Sequence, residues 1–173
     1  MDQADTLEGD ASANQIVGGQ GDDTLVGNGG ADVLRGGEGN DVLAVSSVDD
    51  AFRLDGGTGI DTLRLDAEQI LDFTALSDLA ISSIEQIDLT MDDGNSELTL
   101  NLTDVLSLSE SSNTLSIFGD SGDAVNLSNS SNGQTGVWSL SSSASGLDSY
   151  TFTSMGDILS IVEISDTIDT NII

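Results

Sequence analysis

The chain contains no cysteine, proline, histidine or lysine, and its only basic side chains are Arg35, Arg53 and Arg64. Without cysteine there is no disulfide framework and no thiolate metal site, and the redox compartment is not readable. Without histidine no Ser-His-Asp triad can form. The protease-like "GDSG" at 119–122 therefore reads as a tight turn between strands 113–118 and 123–128, not as a nucleophile at Ser121. No apolar run approaches the roughly 18 residues of a membrane span, so no membrane insertion is expected. The opening "MDQADTLEGDASANQIVGGQ" has neither a basic start nor an apolar stretch, and is no secretory signal peptide.

Three basic residues against 31 acidic ones leave a formal charge of −28. Nothing in the chain neutralises phosphates, which excludes nucleic-acid binding. An anionic membrane surface is excluded on the same ground, and a monomer is expected. A charge this large expands a chain unless counter-ions bind. Aromatic residues make up 3%, which on its own favours disorder. Against that stands a 37% apolar content in regular patterns. The two together describe a conditional folder, disordered without a cation and ordered with one.

The first part of the chain, residues 1–66, is repetitive. Units of nine residues occupy 18–26, 27–35 and 36–44, with Asp23, Asp32 and Asp41 at the sixth place and Leu25, Leu34 and Leu43 at the eighth. "GDASANQIV" (9–17) is a degenerate copy with Asn14 and Ile16 in register. "VSSVDDAFRLD" (45–55) is too long, and "GGTGIDTLR" (56–64) restores the pattern with Asp61 and Leu63. "ADTLE" (4–8) reads as the tail of a further unit, so the chain is expected to be a piece of a longer repetitive protein.

Period nine with leading glycines matches a parallel β-roll, in which six residues turn, three form a strand and two units make one coil. The eighth-place leucines then stack into a thin core. Glycine permits positive φ and close approach of successive turns. Each turn presents carbonyl oxygens and one carboxylate, a hard-oxygen donor set that suits Ca2+. The candidate ligands are Gly18, Gln20, Asp23, Gly27, Gly29, Asp32, Gly36, Glu38, Gly39, Asp41, Gly57, Gly59 and Asp61. Units two apart share a side, so 18–23, 36–41 and 56–61 should form one row with Asp23, Asp41 and Asp61. The opposite row, 9–14, 27–32 and 45–50, has Asn14, Asp32 and Asp49 or Asp50, and should bind more weakly. Two of the arginines stand at the ninth place, where surface pairing with neighbouring acids is expected.

Residues 67–173 shift toward Ser, Thr, Leu and Ile. Alternation predicts strands at 97–102, 114–118, 150–154 and 159–165, with a further candidate at 83–90. Short helical turns are expected in 72–80 and 103–110, each begun near a capping Asp or Thr, and loops at 128–136 and 141–146. Trp138 and Tyr150 are expected in the core. Glu85 reads either as inward-facing, held by backbone donors or metal, or as part of a solvated strand face. Asp120 and Asp123 are a further possible metal pair. The fold class is all-β: a parallel β-roll continuing into a β-rich C-terminal domain, solenoid-like or a small β-sandwich.

"GGQGDDTLV", "GGEGNDVLA" and "GGTGIDTLR" resemble the G-G-x-G-x-D-x-U-x repeat of RTX proteins; "GNGGADVLR" departs from it at Asn28. "SSIEQIDLT", "LTLNLTDVLSLS", "NTLSIFGDSGDAVNLS" and "DTIDTNII" are similar to the C-terminal end of very large RTX adhesins. The resemblance implies calcium binding, secretion to the extracellular space or cell surface, and export by a type I machinery of ABC transporter, adaptor and outer-membrane channel. It also implies an uncleaved signal near 150–173. The expected function is a non-catalytic, calcium-dependent folding module with that signal. The alternatives are a surface-, sugar- or ice-binding solenoid, or the tail of a secreted hydrolase. The outward seventh-place residues Gln15, Thr24, Val33, Val42 and Thr62 form no ladder of like residues, which weighs against a binding face.

Overall fold

Each repeat turns on its glycines and then runs straight across its apolar eighth place, so successive units stack as parallel strands. The computed structural model describes residues 3–46, 53–67, 69–75, 81–92, 94–109, 112–129, 135–144 and 146–173. One ladder joins β1 (Thr6–Glu8), β3 (Thr24–Val26), β5 (Val42–Val45), β7 (Thr62–Leu65), β10 (Gln86–Asp88), β12 (Thr114–Phe118) and β16 (Asp157–Ser165). A second joins β2 (Gln15–Gln20), β4 (Val33–Glu38), β6 (Arg53–Thr58) and β9 (Ile81–Ser82). A third begins later, with β8 (Ile70–Asp72), β11 (Glu97–Asn101), β13 (Ala124–Ser128) and β17 (Asp169–Ile172). The chain is all-β, a roll that continues as a solenoid and gains a third face from β8 onward.

Register carries the core across both halves. Leu25, Leu43, Leu63, Ile87, Ile117 and Ile164 stand opposite one another in sequence, all 0% exposed. Buried columns of Leu34, Leu54 and Ile81, and of Leu98 and Val125, line the other faces. The spacing between stacked residues grows along the chain, from 18 for Asp23 and Asp41 to 24 for Asp61 and Glu85 and 47 for Ser116 and Glu163. The apolar columns stay in register because the surplus residues form added elements: the third ladder, a helix and a hairpin.

The helix, α1 (Leu102–Leu108), packs against β9, β11, β12 and β16 and buries Leu102, Val105 and Leu108. Its N-cap is Asn101, where the sequence pointed to Asp or Thr. The Asn101 side chain accepts the N–H groups of Thr103 and Asp104, and the Asp104 carboxylate accepts the Asn101 N–H at 2.7 Å. This reciprocal capping satisfies donors that the first turn leaves open. A 3-10 turn, Phe73–Ala75, answers the other helical expectation; 76–80 lie outside the described residues.

Two more expectations need correction. The strands are not uniformly three residues long: β2, β4 and β6 have six and include the glycines, because Gly19, Gly37 and Gly57 pair in the ladder. The serine-rich 141–146 is not simply a loop. Ser141–Ala144 belong to β14 (Val137–Ala144), which pairs antiparallel with β15 (Leu147–Ser154), itself paired with β16. Exposed serines mask this strand in the sequence, since backbone pairing and not burial sustains it. Beneath the hairpin, Trp138 and Phe152 meet edge to face at 5.3 Å, and both are buried with Tyr150. Arg64 pairs with Asp66 at 2.6 Å, as expected of a ninth-place arginine, and Arg53 pairs with Asp55 at 3.3 Å.

Ile87, the link of the column between repeats and second half, is 0% exposed, while Ile70 is 82% exposed. Ile87→Ala should lower the stability of the calcium-loaded chain by about 2–5 kcal/mol. Ile70→Ala should change it by less than about 0.5 kcal/mol in the same denaturant titration.

Candidate metal centre

Asp23, Asp41 and Asp61 each end a glycine turn and begin a strand, and all three are at most 1% exposed. Their carboxylates form a ladder. Asp23 Oδ1 accepts the N–H of Asp5, Asp41 Oδ1 that of Asp23, and Asp61 Oδ1 that of Asp41, each at 2.8 Å. Glu85 Oε2 accepts the N–H of Asp61 at 3.0 Å and ends the ladder outside the repeats. Of its two sequence readings, backbone satisfaction is therefore the one observed. The Oδ2 atoms of Asp23, Asp41 and Asp61 are buried with no hydrogen-bond partner. In Asp23 and Asp41 that oxygen lies against Gly18 and Gly36, the first residues of their own units.

The glycines set how closely the turns approach. Gly57 and Gly59 have φ of 107° and 140°, and a Cβ on either would collide with the carbonyl oxygen of Gly37 or Gly39 in the turn below. Each turn therefore brings carbonyl oxygens and one orphaned carboxylate oxygen together in a tight stack. Among the described residues no three acidic side chains converge on one point, so the donors are carbonyls with one carboxylate per turn. Such an all-oxygen set fits calcium. Gly56, omitted from the candidate ligands, belongs to the same set; its Cα lies beneath Asp61 and the Ser83 carbonyl. Its first place in the unit 56–64 identifies it by register.

Other candidates stand differently. The side chains of Gln20 and Glu38 are exposed and bonded to each other at 3.0 Å, and the Glu38 carbonyl accepts the Gly21 N–H at 2.8 Å. Of the opposite row, the turns 9–14 and 27–32 are stacked: Asp32 Oδ1 accepts the Asn14 N–H and Asn14 Oδ1 the Asp10 N–H, both at 2.8 Å. Gly27 packs against the Asp32 carboxylate, and Gly29 has open space around its Cα. Here Asn28 points an amide N–H at the Gly9 carbonyl, 3.1 Å away, engaging an oxygen that a cation would use. Asp49 and Asp50 lie outside the described residues.

Strands stack about 4.8 Å apart, and two ionised carboxylates at that spacing repel by on the order of 3 kcal/mol at an effective dielectric near 20. A buried leucine contributes about 1.5–3 kcal/mol. The repulsion thus offsets much of the thin core unless a cation intervenes. Burial, followed by the charges of Asp41 and Glu85, pushes the Asp61 carboxyl up to about 6; burial likewise raises that of Asp41.

The family model of the RTX calcium-binding nonapeptide repeat, in four copies, matches residues 1–34, 8–43 and 17–50. The chain carries RTX calcium-binding repeats, which bind Ca2+, and proteins with such repeats are typically secreted. Comparison with curated proteins and with solved structures finds no match. When bound, calcium supplies the positive charge and the coordination that the Oδ2 atoms and carbonyls otherwise lack.

Asp41→Asn, in the middle of the strong row, should raise the calcium midpoint of folding more than Asp32→Asn does, measured by circular dichroism. A pH dependence follows as well. The Asp61 carboxyl lies higher in the metal-free fold than in the unfolded chain, so its protonated form favours that fold and the contribution is lost as pH rises through about 6. Lowering pH from 7 to 5 should therefore partly compact the metal-free chain while raising the calcium midpoint, since protons compete for the same oxygens.

Proposed function

We propose that this chain is a calcium-dependent folding module joined to the C-terminal export-signal region of a large secreted or surface-anchored adhesin. On this reading it passes through a type I machinery of ABC transporter, adaptor and outer-membrane channel, and does no chemistry of its own. The observation that carries the proposal is the unbroken apolar column from Leu25 in the RTX repeats to Ile164 near the C-terminus. Calcium bound by the repeats would order the first strands of a sheet on which the later ones are built. In a calcium-poor cytosol the carboxylates keep the chain open for threading; outside, calcium removes the repulsion and the chain folds. The absence of proline and cysteine suits this, because neither slow isomerisation nor oxidation delays folding.

The signal is assigned to the segment after β16, which ends in β17 with Ile172 and Ile173 exposed. Among the described residues no helix is long and apolar enough to cross a membrane. The test is export of a passenger fused to the full chain through a reconstituted type I system, with and without residues 166–173. Deletion should abolish export, whereas Asp41→Asn should leave export intact and impair folding in the medium. Undiminished export of the deleted chain would refute the signal assignment.

A further inference from the structure

Two loops outside the repeats are stacked as the glycine turns are. Residues 89–96, of which 93 lies outside the described residues, link β10 to β11, and 119–123 link β12 to β13. The Leu89 N–H donates to the Phe118 carbonyl at 2.8 Å, and the Ser96 N–H donates to Asp123 Oδ1 at 2.9 Å, so both ends of the loops are in register. The middles are close too. Gly122 has φ 129°, and a Cβ there would collide with Asn95 Oδ1, with the Gly94 carbonyl oxygen 3.7 Å away. As with Gly57 and Gly59, only glycine lets the neighbouring loop approach so far.

Among the described residues, two acidic side chains, Asp92 and Asp123, are buried in these loops. Asp123 is 0% exposed and fully engaged, its Oδ1 by Ser96 and its Oδ2 by the Asp120 N–H at 2.9 Å. It occupies the position of the roll aspartates, just before a strand, and frames the loop. Asp92 is 7% exposed; its Oδ1 accepts the Gly94 N–H at 3.1 Å, but its Oδ2 is buried with no hydrogen-bond partner. All three arginines lie between residues 35 and 64, so this half of the chain has no cation of its own. An ionised carboxylate left unpaired in such a place is strongly unfavourable.

We propose that residues 89–92 and 94–96, stacked on 119–123, form a calcium site separate from the repeats, with Asp92 Oδ2, the Asp120 carboxylate, Asn95 Oδ1 and the Gly94 carbonyl as ligands. The donors are all oxygens, two charged and two neutral, on loops of irregular shape, which suits calcium better than the smaller, strictly octahedral magnesium ion. The site lies at the entry to β11 and β13, and β17 pairs with β13. It makes ordering of the C-terminal segment depend on calcium directly, in addition to the repeats.

The test counts calcium ions on the full chain by native mass spectrometry and measures their affinities by calorimetry. Asp92→Asn and Asp120→Asn should each bind one ion fewer, or bind it at least about ten-fold more weakly. Asp41→Asn should lose ions of the repeat row and keep this one. Far-UV dichroism in saturating calcium checks the fold of each variant. If Asp92→Asn does not fold, the exposed Asp120→Asn decides alone. An unchanged ion count and unchanged affinities in Asp120→Asn would overturn the proposal.

Discussion

A column of buried carboxylates without a basic partner is the constraint on which this structure depends. Asp23, Asp41 and Asp61 hold one another in place through single backbone hydrogen bonds, yet each keeps an orphaned oxygen inside the stack. Hydrogen bonding alone does not offset the removal of such charges from water. A divalent cation between the turns meets both requirements at once, cancelling charge and satisfying oxygens. On the proposed reading, the same feature that stabilises the calcium-loaded roll opposes the metal-free one, so that folding follows calcium concentration.

On the same reading, the architecture passes that dependence to the rest of the molecule. In a solenoid each coil contacts mainly its neighbours, so order at one end lowers the cost of adding the next coil. The column from Leu25 to Ile164 spans repeats and non-repeats without a break. Glu85 joins the two electrostatically, accepting the last backbone N–H of the aspartate ladder from outside the repeats. The helix, the third ladder and the hairpin absorb extra sequence while the inward residues keep their register.

Much of this is legible in the chain itself. The fixed distance between glycines, aspartate and leucine gives the placement of the strands and the pairing of units two apart. Asn28 is a good example: it is a departure from the glycine pattern, and its amide engages a carbonyl of the neighbouring turn. What was not legible has physical reasons. The glycines of β2, β4 and β6 count as strand because their ladder partners are other glycines, which no propensity argument anticipates. The serines of β14 are held by pairing with β15, a contact invisible to alternation. Asp92 is buried in a loop whose neighbour, 119–123, is set by the register of two strands distant in sequence, β11 and β13.

The most direct test of the central claim is amide hydrogen exchange of Asp23, Asp41 and Asp61, whose N–H groups form the ladder, with Ile87 and Ile164 followed in parallel. With calcium, all five should be strongly protected. On chelation at pH 7, the three aspartate amides should lose protection together, with Ile87 and Ile164 following as the shared sheet opens. Aspartate amides that remain protected after calcium is removed would contradict the account, because the carboxylate column would then be stable without a cation.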